Sequence, residues 1–302
     1  MLLAYHRKKE KDGLTYSIDF FSFEFALHLT PDLWIEFEEA IKSLGQRASK
    51  FKSYSGTKKK GKYHKYRAYE IDQLHVQFYD DAPVVQFDFN PNTVHTASDV
   101  VMFDVLTFAL SYMRSSSAVY DVRVKRADYA LDVPKSYREL YVYTRKSEGH
   151  KRTTRYYGDE KSSGRLRVYD KTLEQKEKYR VDLGFNLTRC EWIQRNEKPF
   201  NYDCIGTFDF SGLVGSASVI SLVPVEFFNE ALQRYPVNTR KKIVSGMDKL
   251  SIDKSLFDAL LQEYYAEYGI AELRLISLQN RLADADFDFA FDDDIETSDE
   301  GC

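Results

Sequence analysis

The chain is poor in the residues that build loop-rich or cross-linked scaffolds. Its 302 residues include only 14 glycines, 7 prolines and 3 cysteines. Cys190, Cys204 and Cys302 show no C-x-x-C spacing, so neither a disulfide frame nor a zinc site is indicated. No run of about 18 apolar residues occurs, and no membrane-spanning helix is expected. The opening MLLAYHRKKEKDG meets a charged block too early for a secretory segment, which makes a reduced, cytoplasmic protein the expectation. The histidines His6, His28, His64, His75, His95 and His150 form no His-x-His pair, so a histidine-held metal is not supported. A strong charge of one sign is also missing: the formal net charge is −4, but the acids crowd into the segment after Asp284 and leave a mildly basic body. Such a body suits a nucleic-acid partner.

What the chain does have is tyrosine (22) and phenylalanine (21), in runs that alternate apolar and polar side chains. This favours sheets with long elements. Leu14 to Leu29 reads as a strand that changes phase near Phe20 and Phe21, the mark of a bulge. Thr30-Pro31 opens a helix with an apolar stripe through Leu33, Trp34, Phe37, Ile41 and Leu44, ended by Gly45. Tyr69 to Tyr79 and Val84 to Phe89 are alternating runs around an Asp80-Asp81-Ala82-Pro83 turn, and a helix follows from Ser98 or Asp99 to about Tyr112. Ala118 to Val133 and Leu187 to Gln194 are further strands. Arg126-x-Asp128 and Arg189-x-Glu191 read as one arrangement used twice, as a fold with repeated halves would produce. After Pro224 the pattern turns helical, with Val225 to Arg234, Thr239 to Leu250 and Lys254 to Ala283 as the elements. The expected layout is a catalytic domain over residues 1–222, a helical C-terminal subdomain over 223–283 and a disordered acidic tail over 284–302.

Two stretches carry chemistry. In RYYGDEKSSGRLRVYDKTLEQ, Arg165, Arg167, Tyr169 and Lys171 fall at every second position and share one face if Gly164 to Lys171 is a strand. A phenol among cations is a candidate nucleophile for a phosphodiester: Arg grips the phosphate with two prongs, Lys acts as a point charge, and the phenol forms a covalent ester. The same alternation also suits an ordinary solvent-facing strand with one half-buried tyrosine. The second stretch, Lys50 to Arg67, sets Lys58, Lys59, Lys60 and Lys62 among Tyr54, Tyr63 and Tyr66, as a loop that tracks a phosphate backbone or as a solvated loop.

Strand-borne acids complete the set. Asp88, Asp128, Asp132 and Glu191 are hard oxygen donors suited to Mg²⁺ or Mn²⁺, or else partners for Arg126 and Arg189. Residues four apart on a strand lie about 13 Å from each other, so Asp128 pairs more readily with Glu191 on a neighbouring strand than with Asp132.

Taken together, RVYDK (Arg167 to Lys171) after YYG (Tyr156 to Gly158), KRADYALD (Lys125 to Asp132), TRCEW (Thr188 to Trp192) and FDFNPN (Phe87 to Asn92) resemble the replication initiation factor family. These are the transesterifying initiators of rolling-circle plasmids, to which some conjugative-element relaxases are related. The resemblance runs from about Gly13 to Arg195. It implies an α+β fold, sheet-centred and built from two similar halves, often dimeric. It also implies that Tyr169 nicks one strand of origin DNA and keeps the 5′ phosphate, with Arg167 and Lys171 beside it. Asp128, Asp132 and Glu191 would hold Mg²⁺ or Mn²⁺, and Arg165 with the lysine loop would contact DNA. A conjugative relaxase or a non-catalytic DNA-binding regulator on the same scaffold is the alternative. Apart from the resemblance, the tail with Phe287, Phe289 and Phe291 among its acids reads as a docking peptide for a partner such as a helicase, as an internal DNA mimic that folds back on the Lys50 to Arg67 loop, or as a solubility tail.

Overall fold

The computed structural model describes residues 7–57, 65–91, 100–144, 148–151, 153–158, 164–195, 217–221, 231–245 and 250–283. The lysine loop at 58–62 and the acidic tail lie outside these residues.

The architecture is a mixed one, a large antiparallel sheet with helices. The strands are β1 (Lys8–Lys11), β2 (Leu14–Leu27), β3 (Phe51–Thr57), β4 (Lys65–Ile71), β5 (Leu74–Tyr79), β6 (Val84–Phe89), β7 (Val119–Val133), β8 (Leu140–Thr144), β9 (Glu148–Lys151), β10 (Thr154–Tyr157), β11 (Gly164–Asp170), β12 (Thr188–Arg195) and β13 (Ala217–Ser221). The helices are α1 (Pro31–Gly45), α2 (Val100–Ser115), α3 (Lys171–Tyr179), α4 (Val237–Ser245), α5 (Lys254–Glu267) and α6 (Ile270–Ala283). In the main sheet the order is β3-β4-β5-β6-β2-β7-β12-β11-β10-β9, with β1 pairing β2, while β13 and β8 form a small second sheet. Two long strands, β2 and β7, meet at the centre. From each of them the chain travels to an outer edge and returns strand by strand.

Alternation decides the faces. One side of β2 and β7 presents Phe21, Phe23, Phe25, Val122, Val124, Tyr129 and Leu131, all buried. Helices α1, α2, α5 and α6 cover that side. Phe257 of α5 stands edge-on to Tyr16 at 5.1 Å, Tyr264 edge-on to Phe21 at 5.3 Å, and Phe37 of α1 stacks on Tyr112 of α2 at 4.8 Å. Each such ring fully removed from water contributes about 2 kcal/mol. Of the helices expected as a C-terminal subdomain, α5 and α6 therefore share one apolar core with the sheet, and most of the expected Val225 to Arg234 helix lies outside the described residues. The opposite side of the sheet carries the polar residues, and the candidate site lies there.

Local chemistry explains the elements and three departures from expectation. Thr30 caps α1, its hydroxyl accepting from the Leu33 amide, with Pro31 in the first turn. The run Tyr69 to Tyr79 is two strands, because Asp72 takes a positive φ of 54° in the turn between Ile71 and Leu74. The run Lys254 to Ala283 is two helices, broken where Gly269 takes φ 63°. Finally, β11 stops at Asp170, whose carboxylate accepts from the Leu173 amide at 2.9 Å as the cap of α3. Lys171 is thus the first residue of a helix and not the last of a strand.

Candidate functional site

The site is built on β2, β7, β11 and β12, with α3 as one wall. Arg167 and Tyr169 point to the polar side of β11, opposite Glu191 and Arg189 on β12. The Tyr169 hydroxyl donates to Glu191 Oε1 at 2.6 Å, and Arg167 donates to Glu191 Oε2. The Arg167 guanidinium also lies 5.0 Å from the Tyr169 ring centre and the Lys171 ammonium 5.7 Å from it. Three of the four side chains read from alternation, Arg167, Tyr169 and Lys171, are thus together, although Lys171 arrives from the helix. Its ammonium is held by Glu174 at 2.6 Å.

A β-bulge supplies a residue that the pattern did not single out. Ile18 pairs with Tyr129 and Phe20 with Asp128, leaving Asp19 as the extra residue of β2. Asp19 faces Arg189 Nη1 at 2.9 Å and accepts from Asn90 at 3.4 Å. The phase change near Phe20 was the signal for it; a bulge tends to re-aim a side chain beside a functional site.

Arginine forks organise the acids. Arg126 donates through Nε and Nη2 to the two oxygens of Asp128 at 2.7 and 2.6 Å, and its guanidinium covers the Phe20 ring at 4.4 Å. Arg189 grips Asp132 in the same way at 2.6 and 2.7 Å. The two Arg-x-acid motifs are therefore not one arrangement repeated. Arg126 holds the acid on its own strand, whereas Arg189 reaches across to β7 and β2 and leaves Glu191 to Arg167.

These contacts surround a cleft of about 390 Å³ lined by Asp19, Phe20, Arg126, Asp128, Arg167, Tyr169, Lys171, Lys178 and Arg189 among others. Burial sets its electrostatics. Glu191 is fully buried, and this pushes its carboxyl up to about 7, against the pull of Arg167 and with help from nearby Asp19 and Asp128. Burial also raises Asp128, partly offset by Arg126. The Tyr169 phenol is raised well above its ordinary value by burial and by the Glu191 charge. A carboxyl near 7 beside a phenol is a group placed to accept its proton.

The remaining expected residues divide clearly. Two other tyrosines precede the strand as rival nucleophiles, Tyr156 and Tyr157: Arg165 caps the ring of Tyr156 at 4.2 Å, and Tyr157 lies in the core on the helix side, away from the site. Asp88 sits three strands from Glu191, accepting from Ser22 at 2.5 Å and Gln86 at 2.8 Å, with His75 at 3.6 Å. His75 in turn meets the Tyr54 hydroxyl at 2.8 Å. Lys58, Lys59, Lys60 and Lys62 lie outside the described residues.

The acids expected to hold Mg²⁺ or Mn²⁺ do not fit one ion as they stand. Asp128 and Asp132 each spend both oxygens on an arginine, and Glu191 spends its own on Arg167 and Tyr169. Among the described residues no group of three or more His, Cys, Asp or Glu is arranged around a common point.

No family model matches the chain, and no curated protein matches it. Among solved structures it is similar to a rolling circle replication initiator protein from Geobacillus stearothermophilus, with 16% identity, 61% of this chain and 76% of that chain covered, and a TM-score of 0.34. A likeness that loose carries no argument about the site. Among the described residues no helix is long and apolar enough to cross a membrane.

Proposed function

We propose that the protein is a DNA strand transferase that initiates rolling-circle replication, with Tyr169 as the nucleophile. The observation that carries this reading is the Tyr169–Glu191 hydrogen bond of 2.6 Å within a ring of cations. Tyr169 gives its proton to Glu191 as the phenol oxygen attacks phosphorus. The bond from phosphorus to the 3′ oxygen breaks, that oxygen takes up a proton, and a 5′-phosphotyrosine and a 3′-hydroxyl result. Arg167 and Lys171 offset the phosphate charge. The ester conserves the bond energy, so a 3′-hydroxyl attacking the phosphotyrosine restores the strand.

The strand order, two excursions from a central pair to opposite edges, supports the reading of two similar halves. Origin DNA as single strand or extruded hairpin, a homodimer and a helicase partner belong to the same proposal. So does a divalent cation, which needs carboxylates first released from their arginines. Plasmid initiator and conjugative relaxase share this chemistry. Incubation with supercoiled plasmid carrying the cognate origin, with and without Mn²⁺, tests it: a nick with protein bound at the 5′ end supports the proposal, and intact plasmid or a nick without bound protein refutes it.

A further inference from the structure

Six cationic and three acidic side chains line the cleft, so it attracts anions. Its α3 wall is ordered along the helix. Lys171, Glu174 and Lys178 recur at intervals of three and four residues and share the face turned to the cleft, with the two lysines about 10 Å apart along the axis. Tyr179, the last residue of α3, lines the cleft too, and it is 45% exposed where Tyr169 is 7% exposed. The Lys178 ammonium lies 4.8 Å from the centre of the Tyr179 ring. The backbone there is held at both ends. Arg180 closes the helix with a left-handed φ of 60°, its amide donating to the Gln175 carbonyl, and the Thr172 hydroxyl donates to the Phe185 carbonyl at 3.0 Å. A lone ring on a protein surface needs no explanation. This one stands in a cationic cleft, and a nucleotide is a ligand that offers both a phosphate and a flat π-face.

We infer that Tyr179 is a stacking platform for one unpaired base of a nucleotide neighbouring the scissile phosphate, with Lys178 on the phosphate of that nucleotide. This rests on the strand-transfer reading and adds to it a means of choosing the form of the substrate. Lys171 serves the phosphate at Tyr169, and the strand then runs along the α3 face to Lys178 and the ring. A base inside a duplex keeps both faces in its own stack, so only single-stranded or melted DNA can offer one to Tyr179. The platform tolerates any base, because each has a π-face. It therefore selects for strand form and leaves sequence to other contacts.

Two dye-labelled probes separate base from phosphate: a short oligothymidylate and an abasic phosphodiester chain of the same length. Their affinities are read by fluorescence anisotropy on the full chain, with every arm in the Tyr169→Phe background so that no strand is consumed. Tyr179→Ala is expected to weaken the oligothymidylate about tenfold and the abasic chain by less than about twofold. Tyr179→Trp keeps a π-face and is expected to hold oligothymidylate affinity within about twofold of the background or to improve it. Lys178→Gln should weaken both probes alike, and a loss confined to the oligothymidylate overturns the phosphate role of that lysine. Equal losses on both probes in Tyr179→Ala overturn the platform, since they identify a ring that merely positions Lys178. An equal oligothymidylate loss in Phe185→Ala also overturns it, because that ring is 56% exposed but does not line the cleft. If both probes bind and Tyr179→Ala changes neither, the platform falls and the strand-transfer reading stands. If neither probe binds the background protein, the strand-transfer reading falls and the platform with it. Melting curves check the fold, and if Tyr179→Ala is unfolded, Tyr179→Leu decides with the same two probes.

Discussion

Tyr169 donates its hydroxyl hydrogen bond to Glu191 across 2.6 Å, and Glu191 has no solvent exposure at all. The phenol and its proton acceptor are therefore set against each other on adjacent strands, with the Arg167 guanidinium closing the other carboxylate oxygen. Neither group reaches its ordinary ionised state easily.

Replacing Tyr169 by Phe removes the attacking oxygen and leaves the cations. Covalent capture of an origin oligonucleotide, read on a denaturing gel, is expected to vanish while affinity changes by less than about threefold. Tyr156→Phe is expected to retain capture, because that ring lies under Arg165 on the next strand. Capture by the Tyr169→Phe protein would move the nucleophile to Tyr156.

The raised carboxyl of Glu191 makes two pH predictions. As a proton acceptor it works when ionised, so the capture rate should climb as pH rises through about 7, and Glu191→Gln should lose both rate and slope. For stability the sign is opposite. Folding raises this carboxyl from its ordinary 4.5 to about 7, so the folded state binds more protons in that window and loses stability as pH rises through it, on the order of 3 kcal/mol in total. Denaturant midpoints measured across the window should fall in the wild type and flatten in Glu191→Gln.

Asp132 and Asp128 should behave differently. Asp132→Asn leaves the buried Arg189 with Asp19 alone, and a loss of about 3 kcal/mol in unfolding free energy is expected. Asp128→Asn sits against a partly exposed arginine and should cost about 1 kcal/mol while removing most capture activity. Urea titrations of the two variants distinguish them; equal losses would count against separate roles.

Gly269 gives a control outside the site. Alanine there must take φ 63° and place a Cβ in the space of the Arg114 guanidinium, so Gly269→Ala should cost about 1–2 kcal/mol. Per folded molecule, the capture rate at low temperature should be unchanged.

Legibility followed how local each signal was. The shared face of Arg167 and Tyr169 was visible because strand period alone decides it, and Thr30, Pro31 and Gly45 marked α1 by local chemistry. Partner choice was not visible. Arg189 prefers Asp132 and Asp19 to the Glu191 two positions along because cross-strand register puts Asp132 directly opposite it. Asp19 escaped notice because a bulge, though visible as a phase change, does not say which residue it turns into the cleft. Alternation in the sequence continues through Asp170 to Lys171, whereas the capping carboxylate of Asp170 starts a helix there. Ile71 and Leu74 looked like one strand since a two-residue turn leaves the apolar rhythm almost undisturbed.

The central seam between β2 and β7 joins Leu27 to Val119 at one end and Thr15 to Asp132 at the other, residues about a hundred positions apart. Its ladder must wait for a long loop to close, so refolding from denaturant should be slow, in the millisecond-to-second range or beyond. During synthesis the first half leaves the ribosome with β2 already phenylalanine-rich and its inner edge unpaired. A chain halted after α2 would carry that sticky edge permanently and should aggregate, whereas the finished chain buries it at the moment β7 arrives.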